Sequence, residues 1–393
     1  MSRTRTFRAL TASAGATVVL TAGLLAAGTG LAAAQPQDGA RAGHAVFVQT
    51  DSTAGNQIVA YDRSANGALA LANTYDTHGL GGQLTGSAVD HLASQGSLTY
   101  DRDSQELYAV NAGSNTVSVF AVGGDRLALR QVVSSGGSFP VSIAVRADAV
   151  YVLDALGGGA VQGYRNVNGR LVLVPGWNRA LGLGTTASTP FTQTPGQVAF
   201  SPDGSQLIVT TKGNTASNDA IDVFGIDRSG RPSATAVVNA EPGALPFAVT
   251  FDADRHLVVT DTGLGSLVTY RLHADGTVTQ IDAVSSTQKA TCWVAPAGRY
   301  LFTGNAGGGV TPGRGSLTGF SSSPTGTLTN LGSTATDPGT VDASATPDGR
   351  YLYTQTGANG IVDELAVGSH GTLTEIGSVT VADAIGGEGI VAL

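Results

Sequence analysis

The chain has 393 residues, 55 of them glycine and only 13% charged, with a formal net charge of −8. Two lysines, Lys212 and Lys289, leave no basic patch for nucleic acid. A single cysteine, Cys292, excludes an internal disulfide and is expected as a small buried hydrophobe.

In chain order, the first 34 residues read as a signal peptide. Arg3, Arg5 and Arg8 give a basic start, residues 9–31 are apolar, and Ala32 and Ala34 form an A-x-A cleavage site before Gln35. Losing those arginines takes the net charge from −8 to −11. Residues 35–43 read as a short linker and 44–393 as one domain of an extracellular protein, a monomer with no membrane span after cleavage.

From residue 44 on, the pattern is that of short strands rather than helices. An apolar residue followed three positions later by an aromatic one recurs at Ile58/Tyr61, Val117/Phe120, Val161/Tyr164, Ile221/Phe224, Leu267/Tyr270 and Leu317/Phe320. A seventh copy is read at Ile361/Glu364, without the aromatic. Successive copies lie 44–60 residues apart, the period of propeller blades. Each is followed by a hairpin signal, such as Asn66-Gly67, Asn168-Gly169, Asp275-Gly276 or His370-Gly371, where the chain needs positive φ. Each unit is therefore four antiparallel strands, a to d, and the fold class is an all-β, seven-bladed β-propeller. The first unit lacks strand a, and residues 388–393 have strand-a character with nothing after them. They should close the ring against residues 45–50, which leaves no open sheet edge.

In such a blade the start of strand a and the end of strand b meet near the mouth of the central channel. The repeat places Ser97, Ser142, Gln197, Ala248, Thr291, Asp342 and Glu388 at the first position. It places Thr50, Asn111, Asp154, Thr211, Asp261, Asn305 and Thr356 at the second. Convergent polar groups at the centre of a repeat are where ligand sites are built, although Asn or Asp before a Gly-rich loop also serves simply to satisfy a turn. Asp154, Asp261, Asp342 and Glu388 make the mouth acidic, and Lys212 is the one cation beside either ring. Such a mouth repels phosphate and suits neutral or cationic ligands. Asn111, Asp154, Asp261 and Asn305 offer oxygens for a divalent cation such as Ca2+. His91, in the long connection 76–95, could act as a base or simply be solvated. Trp293 either floors a pocket or plugs the channel.

The repeated Pro-Asp-Gly turns before strand b, at 200–204 and 347–353 and in altered form at 297–302, resemble the lactonase propellers, the family of 6-phosphogluconolactonase and carboxymuconate-lactonising enzymes. Residues 111–120 are similar to that family as well. Residues 94–98, 135–142 and 290–294 are similar to its secreted, lactonase-like branch. Cytoplasmic members place an Arg-His pair at the start of strand a and Asn-Glu-Leu after strand b. None of the seven strand-a positions here is His, and Asn111 and Asn305 are each followed by Ala, so those catalytic residues do not carry over. The resemblance implies hydrolysis of a lactone or similar cyclic ester at the mouth. Lys212 or His91 would polarise the ester and Asp261 or Asp154 would activate water. Gln95, Asn111, Gln197, Trp293, Asn305, Asp342 and Glu388 would line the ligand. The alternative is a non-catalytic extracellular propeller binding a cell-surface glycan, a peptide or a cation.

Overall fold

The computed structural model describes residues 44–393 except 214, 216, 217 and 308–312; the signal-peptide and linker assignments lie outside the described residues. Within that span the chain forms seven sheets of four antiparallel strands each. The innermost strands are Ile390–Ala392 in blade 1, Leu98–Asp101 in blade 2, Ser138–Arg146 in blade 3 and Pro195–Phe200 in blade 4. Blades 5 to 7 begin with Pro246–Phe251, Thr291–Ala297 and Thr340–Ala345. Three single 3-10 turns are the only helical pieces among the described residues, and no described helix is long and apolar enough to cross a membrane.

The ring closes as the repeat predicts. Val46, Phe47 and Val48 pair with Ala392, Val391 and Ile390, so the last strand completes the first blade. Alternation along strands b and c supplies the core between blades. Phe47, Tyr108, Tyr151, Phe302 and Tyr353 on strand b, and Phe120, Tyr164, Phe224, Tyr270 and Phe320 on strand c, are all buried. Each such ring contributes roughly 2–3 kcal/mol of apolar burial. The c–d hairpins take the positive φ their glycines allow, as at Gly67 (φ 91°) and Gly276 (φ 89°).

Two register assignments are corrected. The seventh copy of the repeat is Val362/Leu365, because Leu365 pairs with Leu352 as Phe320 pairs with Leu301. The aromatic position is thus filled by leucine, and Glu364 lies one residue off it. In blade 6 a bulge between Thr291 and Trp293 brings Trp293, not Thr291, opposite Gly304. Trp293 therefore occupies the ring position shared by Gln197, which pairs with Thr210 in blade 4. Blades 3, 4, 5 and 7 carry the same irregularity at the start of strand a, so the bulge is a shared feature and the blade 6 assignment is simply displaced by two residues.

Candidate functional site

The connection from blade 1 to blade 2, residues 77–97, runs into the axis and fills it. Its last residues bond to strand edges around the ring. Val110 donates its N–H to the Ser97 carbonyl (3.0 Å), Ile143 to Gly96 (2.9 Å), and Gln95 to Gly196 (3.1 Å). The Gln95 side chain crosses to blade 6, donating to the Val294 carbonyl and accepting from its N–H, both at 2.9 Å. Trp293 donates from Nε1 to the Ser94 carbonyl at 2.7 Å, and its ring meets Phe247 edge-on at 5.2 Å between centroids. Gln197 accepts from the Val249 N–H at 2.7 Å, tying blade 4 to blade 5. Gln95 and Trp293 thus hold the plug, and Gln197 a neighbouring strand.

Beneath the plug lies a group of buried charges that joins otherwise separate segments. Asp51 and Glu388 are wholly buried, and Asp342, Asp90 and Lys212 are 4%, 5% and 3% exposed. Asp90 accepts N–H bonds from Leu92, Ala93 and Ser94, which winds the plug around its carboxyl. Glu388 accepts from the Ser94 hydroxyl at 2.7 Å, and its own N–H donates to Asp51 at 2.7 Å. Lys212 donates to the carbonyls of Ala93 (2.7 Å) and Pro195 (3.3 Å), with the Phe247 ring 4.4 Å away.

Burial dominates the titration of this group, because four carboxyls share one lysine where water cannot reach. Desolvation pushes Asp51 up to about 8, Asp342 to about 7 and Asp90 to about 6. Glu388 is raised well above its usual range by burial and by the carboxyls beside it. The same burial lowers Lys212 to about 8, and the Cys292 thiol, also buried, rises to about 12. Neutral acids and a poised amine side by side near neutral pH are the conditions under which protein groups exchange protons. Repeat spacing brought Lys212, Asp342 and Glu388 into view but missed Asp51 and Asp90. The available signal was the length of the 77–97 connection, since loops that long inside a compact domain usually have a function.

The remaining nominated residues are not gathered here. Asn111 donates to Ser118 (2.9 Å) and Thr116 (3.1 Å) and accepts from Asn56 (3.0 Å). Asn305 plays the same part in blade 6, accepting from Thr291 at 2.7 Å and donating to Thr318 at 3.0 Å. Asp154 is fully buried with neither carboxyl oxygen hydrogen-bonded, and burial raises it to about 7. Asp261 is raised to about 8 by burial and by the neighbouring Glu241 and Asp219. These four sit on four different blades. Among the described residues no three His, Cys, Asp or Glu side chains are grouped to hold a metal ion. His91 is half-buried, its backbone donates to Gly386, and burial lowers its pKa.

The arrangement defines a seven-bladed propeller with an occupied, charged axis, and comparison with solved structures places that fold. A protein of Bacteroides fragilis provisionally named 6-phosphogluconolactonase superposes with a TM-score of 0.67 at 19% identity, covering 88% of this chain and 96% of that one. The periplasmic gluconolactonase of Pseudomonas aeruginosa gives 0.64 at 18% identity over 88% and 98% of the two chains. Streptogramin B lyase gives 0.51 at 11% identity over 79% and 89%. No protein-family profile and no curated protein matches the chain. The resemblance to lactonase propellers is therefore one of fold, and the same fold also carries lyase chemistry.

Proposed function

We propose that this is an exported lactonase-like propeller that hydrolyses a neutral lactone or similar cyclic ester at the upper end of its axis. The observation carrying this reading is Lys212, a desolvated amine beside carboxyls of raised pKa at the centre of a fold shared with a gluconolactonase. Lys212 would polarise the ester carbonyl, and Asp90, raised only to about 6 and so ionised at neutral pH, would take a proton from the attacking water. Ring opening then releases a hydroxy acid. The substrate would reach Lys212 when residues 77–97 part from the axis. An acidic axis disfavours phosphorylated lactones. The test is a panel of neutral lactones, glucono-δ-lactone included, followed by pH-stat with wild type, Lys212→Met and Asp261→Ala. Wild-type turnover should fall at least tenfold in Lys212→Met and stay within about twofold in Asp261→Ala.

The hydrogen bonding of the plug favours a second reading, a binding propeller without catalysis. If no lactone is turned over while a glycan or a cation raises the melting temperature, that reading replaces the first. Export is part of the proposal. N-terminal sequencing of protein from the medium should begin at Gln35, and an intact Met1 would exclude cleavage after Ala34.

A further inference from the structure

On the face opposite the plug, a cleft of about 500 Å3 opens between blades 2 and 3, beside a tyrosine bonded differently from its counterparts in blades 3 and 7. In blades 3 and 7 the strand-b tyrosine staples its blade to the next one. Tyr151 donates to the carbonyl of Gly230, and Tyr353 to that of Gly67 at 2.7 Å, both hairpin glycines of the following blade. The equivalent residue in blade 2, Tyr108, should donate to Gly169. It donates instead to Glu106 Oε2, at 2.7 Å.

Glu106 is the anomaly. The same strand position holds Ala45, Ala149, Gln206, His256, Tyr300 and Tyr351 in the other blades. Glu106 is only 4% exposed, and Asn166 also donates to its Oε2. Oε1 receives none of the hydrogen bonds that fix this side chain, and Glu106 lines the cleft. A Cβ on Gly169 would lie 2.6 Å from Oε1, so the space in front of that oxygen depends on glycine there. Asp101, Asp103 and Asp148 complete the wall; Arg165 pairs with Asp148, which leaves Asp101 and Asp103 with Glu106 against the guanidinium of Arg130. A buried carboxylate costs stability unless it is paired, and here a side-chain network aims one at a solvent-filled cleft.

We propose that this cleft binds a small polar molecule carrying a protonated amine, which sets an ammonium against Glu106 Oε1. The acidic wall selects for positive charge. A chelated metal ion fits poorly, because the carboxylates are spread around the cleft and form no metal-holding group. The cleft has room for a molecule of monosaccharide size or more, whose other donors would reach Asp101, Asp103 and Asp148. Amino sugars and polyamines share this chemistry. This site is independent of the axial lysine and of any lactone chemistry.

The experiment is thermal melting and calorimetric titration of the mature protein with glucosamine and with spermidine, using N-acetylglucosamine as the neutral control. Glucosamine, spermidine or both should raise the melting temperature by about 2 °C at 10 mM, while the control does nothing. Which of the two acts tells the sources apart. Glu106→Gln keeps an acceptor for Tyr108 and should weaken binding at least tenfold, the effect of losing one charge-assisted bond. Asp103→Asn, on the exposed rim, should weaken it about two- to threefold without touching the fold. The proposal is overturned if neither amine shifts the melt, if the neutral control binds equally well, or if Glu106→Gln binds like wild type. Should Glu106→Gln fail to fold, unchanged binding by Asp103→Asn in 20 mM and in 500 mM salt would overturn it as well.

Discussion

Deleting residues 388–393 should abolish folding of the ring rather than merely loosen it. Those residues supply the innermost strand of blade 1, with Ile390, Ala392 and Leu393 all under 9% exposed. Their loss removes the ladder to Val46, Phe47 and Val48 and strips the axial edge of Ala45–Gln49. It also removes Glu388, whose carboxyl holds Ser94 and whose N–H satisfies Asp51. Two large buried aliphatic side chains alone account for about 3–6 kcal/mol, the scale of a whole domain's net stability. The measurement is soluble yield and the circular dichroism melt of the truncated chain. A cooperative transition within about 5 °C of the full-length protein would show that closure contributes little to stability.

Raising the pH from 4.5 to 8 should destabilise the protein markedly, the reverse of the usual acid lability. A carboxyl whose folded pKa exceeds its unfolded value stabilises the fold fully below the unfolded pKa. That contribution is lost as pH rises through the folded pKa. Asp90, Asp342 and Asp51 lie at about 6, 7 and 8 against 3.8 unfolded. Asp154, Asp222 and Asp363 are raised to about 7 and Asp261 to about 8, with the same sign. Burial is the leading cause in every case. Lys212, depressed to about 8, is protonated in both states across most of this window and changes little within it. His91, lowered by burial, opposes the trend only between the unfolded histidine range and acid pH. Asp203, lowered to about 2 by the Ser201 and Ser205 hydrogen bonds, acts below the window. If coupling leaves a net shift of only two proton-affinity units, the loss is about 3 kcal/mol. That corresponds to a fall of at least ~5 °C in melting temperature between pH 4.5 and 8. Asp51→Asn should flatten the dependence. A melting temperature that rises over this interval in the wild type would mean that the axial carboxyls are ionised in the folded state.

Gln197 and Asn111 show how much of the candidate site the sequence could convey. The repeat gives both their places along the strands, since strand period and turn chemistry are local. What each side chain bonds to was not legible. Gln197 reaches a backbone N–H 52 residues away, and Asn111 accepts from an Asn56 55 residues back in the preceding blade. Such partners are set by the angle between neighbouring blades. Asp90 is the clearer case. Its place in the long connection says nothing of its partners, yet the fold carries it to the axis among Asp51, Asp342 and Glu388.

By itself the sequence determined the number of blades, the hairpins between their strands, the order of the strands and the closure of the ring. All of these follow from alternation, from positive-φ turn residues and from a strand missing at one end and present at the other. Tertiary structure decided which residues face solvent and which face one another. The bond from Trp293 to Ser94, the plug that fills the channel, and the bond from Asn166 to Glu106 all depend on contacts between segments far apart in the chain. Those contacts also set the charge state of each buried acid, because desolvation is a property of the surrounding packed atoms and not of the residue.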